Sequence, residues 1–187
     1  GARAPIDEFL HTLAETHDVD AAAIILSGTG ADGARGIRWI KERGGLTMAQ
    51  TPDEADYHEM PHSAITTGHI DIVLPAAELG PELVRILQAD QIEEAAEEDR
   101  VAEGREAEEA SESIVSRTLL LVRAKTGHDF TGYKRSTISR RMKRRAQFAK
   151  AGSLSAYLRV LQSDPEEMRA LYSDLLITVT SFFRDAE

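Results

Sequence analysis

Apolar residues Ile6, Phe9, Leu10 and Leu13 recur at the spacing of one helical face, which predicts a helix over residues 6–15. Residues 21–26 form an unbroken apolar run with two adjacent isoleucines, bounded by Gly28, as a strand buried in a parallel sheet would be. Helical spacing returns at 34–42, where Ile37 and Ile40 sit among charges beside Trp39, and Gly44-Gly45 stops it as a C-cap would. Short apolar runs at 46–50 and 70–74 predict two more strands, and 78–87 predicts a closing helix. This alternation gives an α/β fold class with right-handed crossovers. So few strands cannot complete a doubly wound parallel sheet, so residues 1–87 are expected to be a partial one, half of a larger domain.

The pattern then changes. Residues 88–112 are rich in Glu and Ala and carry no sustained apolar stripe after Ile92, which predicts an acidic linker, helical or disordered. Residues 113–187 read as a small all-α domain. One helix covers 114–125, ended by Gly127, and the next covers 136–150 with Ile138, Met142 and Ala149 inward. Ser153 is placed as the N-cap of a short helix ending at Leu161, and Asp164-Pro165-Glu166-Glu167 opens another with a cap acid, a first-turn proline and a third-position Glu. Val179 to Phe183 is expected to leave that helix as an extended apolar tail running into the start of a further, catalytic domain.

Composition narrows the function. With 42% hydrophobic and 29% charged residues, the chain of 187 has enough apolar material to fold. No apolar run reaches the about 18 residues of a membrane span and no signal peptide opens the chain, so no membrane insertion and a cytoplasmic location are expected. The absence of Cys excludes disulfides, thiolate metal sites and cysteine nucleophiles. Charge is divided by region. Residues 1–92 carry 6 Lys or Arg against 15 Asp or Glu, residues 93–112 carry 2 against 10, and residues 113–187 carry 14 against 7. Such a swing supports two modules joined by the acidic segment.

Gly28, Gly30 and Gly33 spell G-x-G-x-x-G between a predicted strand and helix, with Asp53 and Glu54 where a dinucleotide fold places its ribose-binding acid. Asp32 argues against a nucleotide, because it adds negative charge among the amides that would cradle a pyrophosphate. A carboxylate at that helix N-terminus suits a catalytic or orienting acid, or a cap on a purely structural turn. His58, His62 and His69 lie among Asp53, Glu54, Asp56 and Glu59, and His58/His62 has a zinc-like i, i+4 spacing. Pro61 between them is expected to prevent a regular helix, and no metal site is expected.

The blocks LSGTGADGARG and GGLTMAQTPDEADYHEMPHSAITTG, followed by the closing helix, resemble the C-terminal half of the chemotaxis protein-glutamate methylesterase domain, the CheB family. The resemblance covers about residues 6–87. It implies a methylesterase-like sheet in which Asp32 completes a Ser-His-Asp triad, fixing the His tautomer and stabilising the imidazolium. It also implies site-wall positions at Met60, Pro61, Ser63 and Ala64. The family's Ser and His lie upstream of this Asp. Here only His11, His17 and Ser27 precede it as candidates, two expected at the surface and one bonding the loop backbone, so this chain is expected to lack esterase activity.

Residues 134–150 carry eight cations and no acid, namely Lys134, Arg135, Arg140, Arg141, Lys143, Arg144, Arg145 and Lys150. Arg140, Arg141, Arg144 and Arg145 are expected on one side of a helix, opposite Ile138 and Met142. Such a field attracts anions; the alternatives are a solvated face answering the acidic linker, or nucleic acid, which the lack of interleaved aromatics and a low pI disfavour. The blocks TGHDFTGYKRSTISRRMKRR and LLITVTSFFRD resemble the N-terminal domain of the chemotaxis glutamate O-methyltransferases, the CheR family. That resemblance implies S-adenosylmethionine as cofactor of the complete protein, with contacts at Thr178, Thr180 and Arg184. It further implies that the basic helix docks on the Glu-rich methylation region of a chemoreceptor. Together the two resemblances imply a bifunctional enzyme that methylates receptor glutamates and hydrolyses the esters. A non-catalytic receptor-binding scaffold and, more weakly, a nucleotide-binding protein are the other readings.

Overall fold

The computed structural model describes the backbone of residues 4–103 and 106–182, and the side chains among them except 90, 92–111 and 178–182. The chain divides into two compact units, Gly1–Arg85 and Ile86–Glu187.

The first unit begins with helix α1 (Pro5–His17) and strand β1 (Ala22–Ile25), followed by α2 (Ala34–Arg43) and β2 (Leu46–Gln50). Helix α3 (Glu59–Thr66), strand β3 (Ile72–Leu74) and the start of α4 (Ala76–Glu103) complete it. The strands form a parallel sheet in the order β1-β2-β3, with Ile24, Met48 and Ile72 in register. Central β2 is buried at every position, whereas β1 alternates. A parallel strand reads as a continuous apolar run only where both faces are covered. Ala23 and Ile25 of β1 join Leu10, Ala14, Ile37, Ile40, Ala49 and Ala64 in one core. Gly36 lets α1 and α2 approach, since a Cβ there would lie 2.6 Å from the Leu10 Cβ. Gly44, at φ 88°, closes α2 in the left-handed conformation that glycine adopts without penalty.

The N-terminal ends of the strands are held by a buried ion pair. Lys41, 8% exposed, meets Asp71, 1% exposed, which also accepts bonds from the Thr47 amide (3.0 Å) and hydroxyl (2.9 Å). This end carries stability, and the opposite, C-terminal end is where a parallel sheet places its chemistry.

Pro61 does not prevent a helix at 58–62. It lies in the first turn of α3, where its missing N–H would have had no intrahelical partner in any case.

The second unit contains the rest of α4, then α5 (Glu106–Thr126), α6 (Arg135–Phe148), α7 (Leu154–Ser163) and α8 (Pro165–Phe182). The described backbone of 88–103 and 106–112, the acidic stretch, is helical. Val115, Leu119, Val122, Phe130, Ile138, Met142, Tyr157, Leu161, Leu171 and Leu175 form its core. Ser153 caps α7 by accepting the Ala156 amide at 3.1 Å. Asp164 does the same for α8, accepting from Glu166 (2.9 Å) and Glu167 (3.3 Å). The expected extended tail is not there: the backbone stays helical through Phe182.

Candidate functional site

Strand β1 delivers the chain into the glycine loop at the C-terminal edge of the sheet. The loop is stitched to the segment that follows β2. The Gly28 amide donates to the Tyr57 carbonyl (2.9 Å), and the Gly28 carbonyl accepts from the Met60 amide (3.0 Å). A Cβ at Gly28 would stand 2.3 Å from the Met60 Sδ, so a larger residue there requires the Met60 side chain to move. The Ser27 amide donates to Gln50 Oε1 (2.9 Å), and its Oγ accepts the Tyr57 amide (3.0 Å), so Ser27 is a loop-bonding residue as expected. Gly30, at φ 84°, donates its amide to Glu59 Oε2 at 2.6 Å. That bond counts against the nucleotide reading, since a carboxylate occupies an amide that a phosphate would need. Glu54, the candidate ribose acid, instead accepts from Gln50 Nε2 (3.0 Å) and from the Ala76 amide that opens α4.

Asp32 is half-buried, and its carboxylate is fixed at both oxygens. Oδ2 accepts the Ile6 amide at 3.1 Å and Oδ1 the Asp7 amide at 2.9 Å. These are free first-turn amides of α1, whose own N-cap, Ala4, has no side-chain acceptor. The sequence placed Asp32 at the N-terminus of α2; it faces α1 instead, and Asp7 takes the amides of α2. Asp7 Oδ1 accepts from Gly33 (3.0 Å) and Gly36 (2.8 Å), and Oδ2 from Arg35 Nε (3.0 Å). The two aspartates thus exchange caps across 25 residues of sequence. Each Asp32 oxygen retains a second lone pair, so the carboxylate can still accept an imidazole N–H.

The candidate histidines lie elsewhere. His11 stacks on Trp39 with centroids 4.3 Å apart, and His17 bonds Thr16 Oγ1 at 2.8 Å. Met60 and Ser63 border the loop, the latter donating to the Gly30 carbonyl at 3.5 Å, whereas Pro61 and Ala64 are buried. Among the described residues no group of three or more His, Asp or Glu is arranged to hold a metal ion.

In the second unit the basic helix α6 departs from the expected single charged face. Arg141 is buried, and Arg145, 14% exposed, forms a two-pronged ion pair with Glu167, 11% exposed. The reason is helical spacing: Arg141 and Arg145 stand three and seven residues after Ile138, on its side of the helix. Arg140 and Arg144 lie away from it and are half-exposed. Tyr157 donates its hydroxyl to Glu167 at 2.7 Å. Burial and that hydrogen bond push the Tyr157 hydroxyl pKa up. Burial works against the Arg145 charge, yet the bonds and charge of Glu167 outweigh it and the pKa is raised. Glu167 and Tyr157 escaped the sequence reading, which saw Glu167 only as a cap residue.

Thr178 and Thr180 lie in the last turns of α8; their side chains, and Arg184 entirely, fall outside the described residues. The described buried face of α8, with Met168, Leu171 and Leu175, is filled by the core.

Comparison with known proteins matches residues 1–83 to the CheB methylesterase family model, and residues 116–176 to that of the CheR methyltransferase all-alpha domain. An uncharacterized 104.1 kDa protein of Rhodobacter capsulatus is 35% identical over 98% of this chain and 21% of its own length. A protein-glutamate methylesterase/protein-glutamine glutaminase of Geobacter sulfurreducens is 35% identical over 43% of this chain and 22% of its own. Its counterpart in Haloarcula marismortui is 45% identical over 39% and 20%. The chain therefore spans about a fifth of the length of these curated relatives. The solved catalytic domain of the Thermotoga maritima CheB methylesterase is similar at 34% identity over 42% of each chain, with a TM-score of 0.41. The chain joins a CheB-type methylesterase segment to a CheR-type all-alpha segment.

Proposed function

We propose that this chain is an internal part of a bifunctional chemosensory enzyme that methylates receptor glutamates from S-adenosylmethionine and hydrolyses the resulting methyl esters. Its proposed organisation is an esterase half over 1–87, an acidic connector over 88–112 and a transferase N-terminal domain over 113–187. The observation that carries the reading is the carboxylate of Asp32. It stands at the C-terminal edge of a parallel sheet, held at both oxygens by backbone amides, inside the segment that matches the esterase family.

In this reading Asp32 accepts the N–H of a histidine supplied from outside residues 1–31. The histidine is thereby held in the tautomer whose other nitrogen deprotonates a serine, which attacks the ester carbonyl. The positive charge that develops on the imidazole is stabilised by the carboxylate. Alone, residues 1–187 lack that serine–histidine pair and do not hydrolyse esters. Arg140 and Arg144 are proposed to meet the carboxylates of the receptor's methylation helices, while Arg141 and Arg145 maintain the fold around α6. The cofactor supplies the methyl group; Thr178, Thr180 and Arg184 are its proposed contacts.

The test uses the full-length protein with methyl-labelled S-adenosylmethionine and a receptor cytoplasmic fragment. The label should pass to receptor glutamates and later leave as methanol. A receptor that neither gains nor loses label contradicts the proposal.

A further inference from the structure

Asp7 is a buried carboxylate with no place in the triad, yet it grips the loop that carries Asp32. The residue is 4% exposed, and its carboxylate is bonded to three donors, which offsets the cost of placing it at such depth. Gly33 directly follows Asp32 and turns sharply at φ 96°, and its amide is tied to Asp7 Oδ1, as is that of Gly36. In return the Asp32 carboxylate is tied to the amides of Ile6 and Asp7. The result is a closed ring of four backbone-to-carboxylate bonds between residues 6–7 and 32–36. Asp32 cannot shift without breaking one of them. The closeness of the two segments is built in, because a Cβ at Gly36 would lie 3.2 Å from the Asp7 Cα. Arg35 adds little to the grip, since its side chain is 75% exposed.

We infer that Asp7 is a positioning residue, holding the Asp32 carboxylate in the attitude that orients the triad histidine. The inference rests on the triad reading proposed above. It makes a specific chemical claim: both loop bonds converge on Oδ1, so an amide with one acceptor oxygen can replace the carboxylate, whereas a side chain without an acceptor cannot.

The experiment measures ester hydrolysis by the full-length protein on a methylated receptor fragment, with melting followed in parallel. Asp7→Ala should lower kcat by about 100-fold with KM within about twofold, the size of effect expected when a catalytic group is displaced by an ångström. Asp7→Asn should recover most of that loss. Asp7→Glu, which keeps the charge but moves it by one methylene, should also lower kcat and decides the matter if the alanine variant does not fold. Unchanged kcat in folded Asp7→Ala or in Asp7→Glu overturns the inference, as does an Asp7→Asn variant as impaired as Asp7→Ala. Asp32→Asn separates the two claims. If it hydrolyses normally, the triad reading itself is wrong; if it is inactive while Asp7→Ala and Asp7→Glu are normal, only the positioning role is lost.

Discussion

The carboxylates at the glycine loop of the first unit and the charged cluster on α6 of the second are held in opposite ways. In the first, Asp7 and Asp32 bind mainly backbone amides at helix N-termini, where helix dipoles favour an anion. In the second, Arg145, Glu167 and Tyr157 bind one another's side chains between α6, α7 and α8. Backbone partners have no rotamers, so a carboxylate bound to them is fixed in direction as well as place, as a group that orients another must be. Side-chain partners leave every member dependent on the others, which suits a lock between helices. The lesson is that a run of cations marks a binding surface only in part, because some of its members belong to the core.

The contrast can be broken most severely at Glu167. Glu167→Leu leaves a buried guanidinium and a phenol hydroxyl without their acceptor and should destabilise the second unit by about 3–5 kcal/mol. Adding Arg145→Met should restore much of the loss. Chemical denaturation checks both, and a double variant no more stable than the single would mean that the network is not the lock described. In the first unit, Gly36→Ala pushes a methyl group against Leu10 between α1 and α2, and overpacking of this kind should cost about 1–3 kcal/mol. A melting curve unchanged by that substitution would contradict the tight approach of the two helices.

Charge reversal sharpens the division within α6. Arg140→Glu and Arg144→Glu should each weaken binding to a Glu-rich receptor bundle by about 2–10-fold, most at low salt. Binding isotherms at two salt concentrations measure this; tight, salt-steep binding to a random oligonucleotide and none to the bundle would favour nucleic acid instead. The smallest effects concern pH. Burial lowers the His69 pKa from 6.5, so its contribution to the first unit is complete above pH 6.5 and lost as pH falls through the lowered value. Burial and Glu167 raise the Tyr157 pKa above 10.0, so its contribution to the second unit is complete below pH 10 and declines above it. His69→Gln should remove the acid-side dependence and Tyr157→Phe the alkaline one.

Much of the fold was readable because each element obeys a local rule. The spacing of Ile6, Leu10 and Leu13, the apolar run into Ile25, the Gly44 stop and the Ser153 cap all act within a few residues. What escaped was non-local or relative. The exchange of caps between Asp7 and Asp32 links segments that no periodicity connects. Arg141 and Arg145 looked like surface cations because their neighbours in sequence are cations, although their spacing from Ile138 points them inward. The apolar run from Val179 was expected to be an extended tail, but α8 continues through Phe182. Asp32 was legible as a candidate acid beside the glycine loop; the helix it faces was not.

The central claim is that the amide-anchored carboxylate of Asp32 serves ester hydrolysis and not only the cap of α1. Asp32→Asn keeps one acceptor oxygen but sets its amide nitrogen against the Ile6 or Asp7 N–H, so it should still fold, with stability lowered by about 1–3 kcal/mol. In the full-length protein it should still accept label into the receptor, while ester hydrolysis falls by about four orders of magnitude because the histidine is left in the wrong tautomer. A folded Asp32→Asn protein that releases methanol at the wild-type rate would contradict the account.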